Sequence, residues 1–148
     1  MAETLGMLCD KLTIVKLKQY HTEETDRLKS LASQALQLQN EIDAYIIDAI
    51  KGNIPPDRIT FEANKVFKKQ GNEVAEVNGN FGEIFFQLAE VNCNLWHEQE
   101  KVYEFEKVPV EKKDAVVKKL ALLNLERNNC IDAINKQFSK LITQKNNL

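Results

Sequence analysis

The sequence predicts an all-α fold, an elongated antiparallel bundle of three long helices. Only three prolines and five glycines occur in 148 residues, which leaves most of the chain free to be helical. Apolar residues recur at heptad spacing along three long segments, as in coiled coils. The last two segments are joined by a short linkage, so we expect them to be antiparallel neighbours. A chain of this length fits a single helical-bundle domain, residues 1–148.

The first heptad pattern predicts one continuous helix over about residues 3–50. Its apolar positions continue from Ile14 in a constant register toward the end of the segment. Two successive positions of the heptad seam, His21 and Glu24, are polar, but the heptad spacing continues through them without a skip. Gly52 is well placed to end the helix, and two prolines follow shortly after it.

The remainder of the chain divides into a weakly patterned segment and two further helices. Residues 52–80 form the less regular segment, within which residues 60–70 have the composition of a short helix. Strong heptad patterns predict helices at about 81–106 and 111–145. Pro109 lies between them, where a proline suits the first turn of a new helix.

Charge and composition exclude several classes of function. The formal net charge is −2 and the pI is about 5.8, so no general attraction to nucleic acid or to an anionic membrane is expected. No apolar run approaches the ~20 residues of a membrane-spanning helix, and no export signal is evident. The three cysteines are distant from one another and odd in number, which favours a reducing cytoplasm.

Each predicted helix has a polar interruption in its apolar seam. These interruptions are His21 and Glu24, then Glu98, then Asn124 and Arg127. Burying an unpaired charge costs several kcal/mol, so these side chains need partners if the seams are buried. A turn centred near Val108 would place Glu98 level with residue 118 or 119, out of reach of Arg127. Arg127 therefore needs a carboxylate from the first helix, from a second subunit or from a ligand.

Three segments together resemble a known family. They are DKLTIVKLK (residues 10–18), VNCNLWHEQE (91–100) and LNLERNNCID (123–132). They are similar to the signature segments of a group of uncharacterised bacterial domains marked by Asp-Lys-Leu-(Ser/Thr)-Ile, Asn-x-x-Leu-Trp and Leu-Asn-x-x-Arg-Asn. The resemblance implies an all-helical fold and no established activity.

This sequence departs from the family pattern after the tryptophan. Gln99 and Glu100 stand where the family has two acidic residues, and Tyr103 stands where a basic residue is expected. A metal or acid–base role for that pair is therefore not predicted here.

No catalytic template is recognisable, and we predict neither a metal nor a cofactor. His21 with Glu24 and His97 with Glu100 each share a helix face, but di-iron bundles place the glutamate before the histidine. The paired acids Glu23-x-x-Asp26 and Glu73-x-x-Glu76 occur in the wrong order for a helical pyrophosphatase. No phosphate-binding loop or nucleophile elbow is present in the sequence.

Two hypotheses for function remain. The first is a non-catalytic, homo-oligomeric interaction or accessory protein, most simply a homodimer, because the long first helix outreaches its neighbours. The second is a small-molecule protein or enzyme that holds an anionic ligand between the helices. The candidate ligand-binding residues are Asp10, Lys11, His21, Asn92, Trp96, Asn124, Arg127 and Asn128.

Overall fold

The structure, a computed structural model, describes residues 2–62 and 65–146. Those residues contain helices and irregular segments and no strand, which confirms the predicted all-α class. The long helices are α1 (Leu5–Tyr20), α2 (Thr25–Ile50), α3 (Phe81–Tyr103) and α4 (Val110–Asn146). Two single-turn 3-10 helices lie at Pro56–Arg58 and Phe105–Lys107.

The prediction of one continuous helix over residues 3–50 is wrong, because the chain turns at residues 21–24. The backbone N–H of His21 donates to the Leu17 carbonyl and ends α1. The Thr22 hydroxyl then accepts a hydrogen bond from the Glu24 N–H at 3.4 Å. In a straight helix, His21 and Glu24 would place two polar side chains in succession on the apolar seam. The turn instead lets α2 fold back along α1.

Helix α1 lies at the centre of the arrangement and contacts α2, α3 and α4. Contacts of Asp10 with Arg127, and of Gly6 with Asn135, show that α1 and α4 are antiparallel. Contacts of Asp10 with Asn92, and of His21 with Trp96, show that α1 and α3 run parallel. The predicted antiparallel pairing of α3 and α4 is also observed, with the reversal at residues 104–109.

The apolar core follows the predicted seams of α2 and α3 and extends across α4. Tyr45 of α2 and Phe138 of α4 join the two outer helices, with ring centroids 6.1 Å apart. The residues of this core that are buried most deeply are Leu5, Leu8, Cys130, Leu88 and Ile134. The core therefore depends on all four long helices, and α1 contributes two of its most buried leucines.

The first turn of α1 is held against the backbone of α4. Thr4 caps the helix by accepting a hydrogen bond from the Met7 N–H at 3.4 Å. The Gly6 N–H donates to Asn135 Oδ1 at 2.8 Å. A Cβ atom at Gly6 would lie 2.5 Å from the Ile131 carbonyl oxygen, so this crossing requires glycine. The close approach fixes how far α1 can slide along α4.

The described residues between α2 and α3, 51–62 and 65–80, are irregular apart from the 3-10 turn at Pro56–Arg58, as predicted for this segment. The short helix predicted at residues 60–70 is wrong over 60–62 and 65–70, and positions 63 and 64 lie outside the described residues. Lys118 of α4 donates to the Gly71 carbonyl at 2.8 Å and contacts the Asn72 side chain. The segment thus crosses α4 before it enters α3. Among the described residues, no helix combines the length and apolarity that crossing a membrane requires.

Candidate functional site

The side chain of Arg127 binds the carboxylate of Asp10 in two places. Its Nε donates to Oδ1 at 2.9 Å, and its terminal Nη2 donates to Oδ2 at 2.6 Å. Asp10 is buried, with 4% of its surface exposed, whereas one third of the Arg127 side chain (33%) is exposed. Hydrogen bonding to Asp10 raises the pKa of the Arg127 guanidinium, and this outweighs the opposite effect of burial. The carboxylate that Arg127 requires therefore comes from the first predicted helix.

Asn92 adds a third helix to this contact. Its Nδ2 donates to Asp10 Oδ1 at 3.0 Å, so the carboxylate accepts three hydrogen bonds from two helices. Asn92 is almost fully buried, and its own carbonyl oxygen has no partner among the described residues. We call Asp10, Asn92 and Arg127 the crossing cluster, because it joins α1, α3 and α4 where they cross.

A groove of about 430 Å³ between α1 and α2 reaches the crossing cluster from the solvent. Its cationic lining residues are Lys11, Lys18 and Arg127, and its acidic lining residues are Glu3, Asp10 and Glu41. Lys11 forms an ion pair with Glu3, and Arg127 forms one with Asp10. The charges of this groove are therefore balanced and largely paired, which disfavours a strongly anionic ligand.

His21 and Trp96 form a second, separate group. Their rings stack with centroids 4.6 Å apart and an interplanar angle of 22°. His21 Nε2 lies 3.9 Å from a carboxylate oxygen of Glu100, and Nδ1 lies 2.9 Å from the Leu17 carbonyl oxygen. Eleven residues of helix separate His21 from Asp10, a distance of about 16 Å at 1.5 Å per residue. One compact ligand would not contact both groups.

The predicted residues Asn124 and Asn128 bind the backbone of their own helix. Asn124 Nδ2 donates to the Leu120 carbonyl at 3.2 Å, and Asn128 Nδ2 donates to the Asn124 carbonyl at 2.8 Å. Neither amide nitrogen is aimed at the crossing cluster. Of the predicted ligand-binding residues, the structure joins Asp10, Asn92 and Arg127 by hydrogen bonds and places Lys11 in the adjoining groove. His21 and Trp96 meet at a separate place.

The polar seam residues do not form one network. Glu98 accepts from Lys101 at 2.9 Å and contacts Lys119 at 3.1 Å, which agrees with its expected level beside residue 118 or 119. Burial alone would raise the pKa of Glu98, but the hydrogen bonds and charges of the two lysines together lower it. Glu24 forms an exposed ion pair with Arg27 at 2.9 Å. Each seam carboxylate therefore has a local cationic partner.

Sequence reasoning missed three buried groups on α1 and α4. Asn135 receives the Gly6 N–H, and its own Nδ2 has no partner within the described ranges. Burial, assisted by the charge of Asp10, raises the pKa of Cys9 to about 11. Burial, assisted by Glu126 and Asp10, raises the pKa of Cys130 to about 11. For Asn135, the sequence signal was its position one heptad after Asn128.

Burial and internal pairing limit the chemistry open to the groups of this site. Within the part of the chain that the structure describes, no group of three or more His, Cys, Asp or Glu side chains could hold a metal ion. The two buried thiols are held in their protonated, unreactive form. The guanidinium fork of Arg127, which would bind a carboxylate or phosphate, already binds Asp10.

Comparison with known proteins finds no matching family model, no similar curated protein and no similar solved structure. The resemblance to the uncharacterised bacterial domains therefore stays a prediction.

Proposed function

We propose that this chain is a non-catalytic, homo-oligomeric interaction protein. The observation that carries the non-catalytic part of the proposal is the bidentate contact of Arg127 with Asp10. The sequence left Arg127 with three sources for a carboxylate, of which one was a ligand. An internal carboxylate removes the need for that ligand, and it gives the buried charges a role in fixing how three helices meet.

The surface of α2 supports the assembly part of the proposal. Helix α2 packs mainly on α1, and its other side carries the exposed apolar residues Leu36 and Ile47. Covering these side chains with a partner would remove apolar surface from water, which favours association. A homodimer is the simplest closed assembly.

The proposal includes the bacterial cytoplasm as the site of action and membership of the family that the sequence resembles. Cys9, Cys93 and Cys130 are all free thiols, and two of them are buried. Free thiols are typical of proteins from reducing compartments.

Static light scattering of the purified protein at micromolar concentration tests the proposal. We expect a mass near twice 17.0 kDa. A strictly monomeric mass over the accessible concentration range would overturn the proposal, because α2 would then have no copy of the chain to bind.

A thermal-shift series with small anions tests the competing hypothesis of an anion-binding protein. The panel contains phosphate, acetate, citrate and a nucleoside diphosphate, with wild type and Arg127→Lys as the matched pair. Lysine keeps the charge but cannot bind an anion with a planar fork. We expect no anion to shift the wild type specifically. A shift that Arg127→Lys abolishes would favour ligand binding over the proposed function.

A further inference from the structure

We infer that the partner of α2 is α2 of a second copy, packed antiparallel about a twofold axis at Leu36. This inference rests on the proposed function and specifies the surface and geometry of the assembly. It follows from the pattern of apolar and charged side chains on the exposed face of α2.

Four exposed residues of α2 lie on one narrow stripe. At 100° per residue, Lys29, Asp43 and Ile47 all fall within about 20° of Leu36 around the helix axis. Leu36 is 60% exposed and Ile47 is 50% exposed. Buried Tyr45 lies on the opposite side, at about 180° from Leu36. The stripe therefore faces away from the core of its own chain. We call it the α2 stripe.

The α2 stripe carries one positive and one negative side chain, Lys29 and Asp43, and a twofold axis would bring each opposite the other in a second copy. Lys29 precedes Leu36 by seven residues and Asp43 follows it by seven, about 10.5 Å in each direction. Neither charge forms an ion pair within residues 2–62 and 65–146. In an antiparallel pair centred on Leu36, Lys29 lies level with the partner's Asp43. The symmetry makes this contact twice.

Parallel pairing of the same stripe is disfavoured by the same charges. It would place Lys29 level with the partner's Lys29, and Asp43 level with the partner's Asp43. Like charges that face each other oppose association, so the pattern selects the antiparallel orientation. An unrelated partner would not require this self-complementarity. The charge pattern is therefore the reason to assign a second copy of this chain.

The surface beside the stripe has room for a partner helix. A groove of about 610 Å³ runs between α1, α2 and α3 next to the stripe. Its small lining residues Ala32 and Ala35 belong to α2, and Leu12 and Phe85 supply apolar walls from α1 and α3. Small side chains let helices approach closely, so the partner's Leu36 can pack against this edge.

Charge reversal tests the pairing directly. Lys29→Glu and Asp43→Lys each create two like-charge contacts per dimer, and the double variant restores both attractions with exchanged signs. We expect each single variant to raise the dimer Kd by about tenfold at low salt, and the double variant to recover most of the loss. The effect should shrink near 1 M salt, where the Debye length is only about 3 Å. Asp48→Lys, an exposed carboxylate on another face of α2, is the matched control.

Cysteine cross-linking tests the position of the axis. In a Cys93→Ser background, Leu36→Cys places two thiols beside the twofold axis, within the ~6 Å Cα separation that a disulfide needs. We expect mild oxidation to cross-link this variant into a covalent dimer. Gln37→Cys, turned by 100° around the helix, is the control and should remain uncross-linked.

The outcomes separate this inference from the proposed function. A dimeric wild type whose Kd is unchanged by Lys29→Glu and Asp43→Lys would overturn the α2 pairing and leave homo-oligomerisation standing. A monomeric wild type would overturn both. A double variant that is no better than either single variant, or cross-linking of Gln37→Cys in preference to Leu36→Cys, would also overturn the antiparallel geometry.

Discussion

Replacing Arg127 by methionine while Asp10 remains should destabilise the fold by about 3 kcal/mol. The substitution leaves a carboxylate that is 5% exposed with a single remaining donor, Nδ2 of Asn92. Breaking a buried pair on one side costs about 3–5 kcal/mol, and the lower end applies because the Arg127 side chain is 33% exposed. If Arg127 were a buried charge without a partner, the same substitution would instead stabilise the fold.

A double-mutant cycle gives this prediction its sharpest form. Asp10→Asn alone should cost about 1–2 kcal/mol, because the freed guanidinium can be solvated at its exposed side. Asp10→Asn combined with Arg127→Met removes both charges and should cost no more than that. The double variant should therefore be more stable than Arg127→Met alone, with a coupling energy of about 3 kcal/mol in magnitude.

The assay is urea unfolding at pH 7 and a fixed protein concentration, because association contributes to the stability of a dimer. Far-UV circular dichroism and the fluorescence of Trp96, the single tryptophan, provide two independent probes. If the double variant is as unstable as Arg127→Met, or if Arg127→Met is neutral, the crossing cluster does not act as a buried ion pair.

Three further predictions follow from other parts of the molecule. Gly6→Ala should lower the free energy of unfolding in urea by about 2 kcal/mol, because its Cβ would lie 2.5 Å from the Ile131 carbonyl oxygen. In the control Gly82→Ala, the new Cβ meets no atom within 4 Å, so the stability should hardly change. Equal effects of the two substitutions would contradict the close crossing of α1 and α4. At pH 8 a disulfide reagent should label only exposed Cys93 in the native protein, and rapid native labelling of all three thiols would contradict this prediction. The free energy of unfolding should also fall between pH 9 and pH 11. The raised pKa values of Cys9 and Cys130 stabilise the fold below the ordinary thiol pKa, and this contribution is lost as pH rises through about 11. Because the pKa of Glu98 is lowered, its contribution to stability is present above the ordinary glutamate pKa and is lost as pH falls through the lowered pKa. Glu98→Gln should therefore be less stable than wild type at pH 7, and this difference in stability should disappear in acid. Glu104→Gln, at an exposed ion pair, should differ little from wild type at either pH.

The sequence predicted the later helices better than the first. Helices α3 and α4 begin and end within a few residues of the predicted bounds, because Asn80 and Pro109 are recognisable boundary residues. The break after α1 was missed because its four-residue turn leaves the heptad count in register. The informative signal was chemical, since two consecutive seam positions, His21 and Glu24, are polar.

Part of the candidate site could be identified from the sequence, but its connections could not. Asp10, Asn92 and Arg127 were each candidates, and Arg127 was expected to need a carboxylate. The choice of Asp10 depends on α1 folding beside α4, a contact between residues 117 positions apart. The Gly6 to Asn135 contact was invisible for the same reason, since it depends on two helix backbones approaching closely.

Native mass spectrometry of the freshly purified protein tests the central claim most directly, because one spectrum reports both assembly and any retained small molecule. The account predicts a species at twice the 17.0 kDa chain mass with no additional mass bound. A monomer, or a chain that carries a stoichiometric non-protein mass which Arg127→Lys removes, would contradict it.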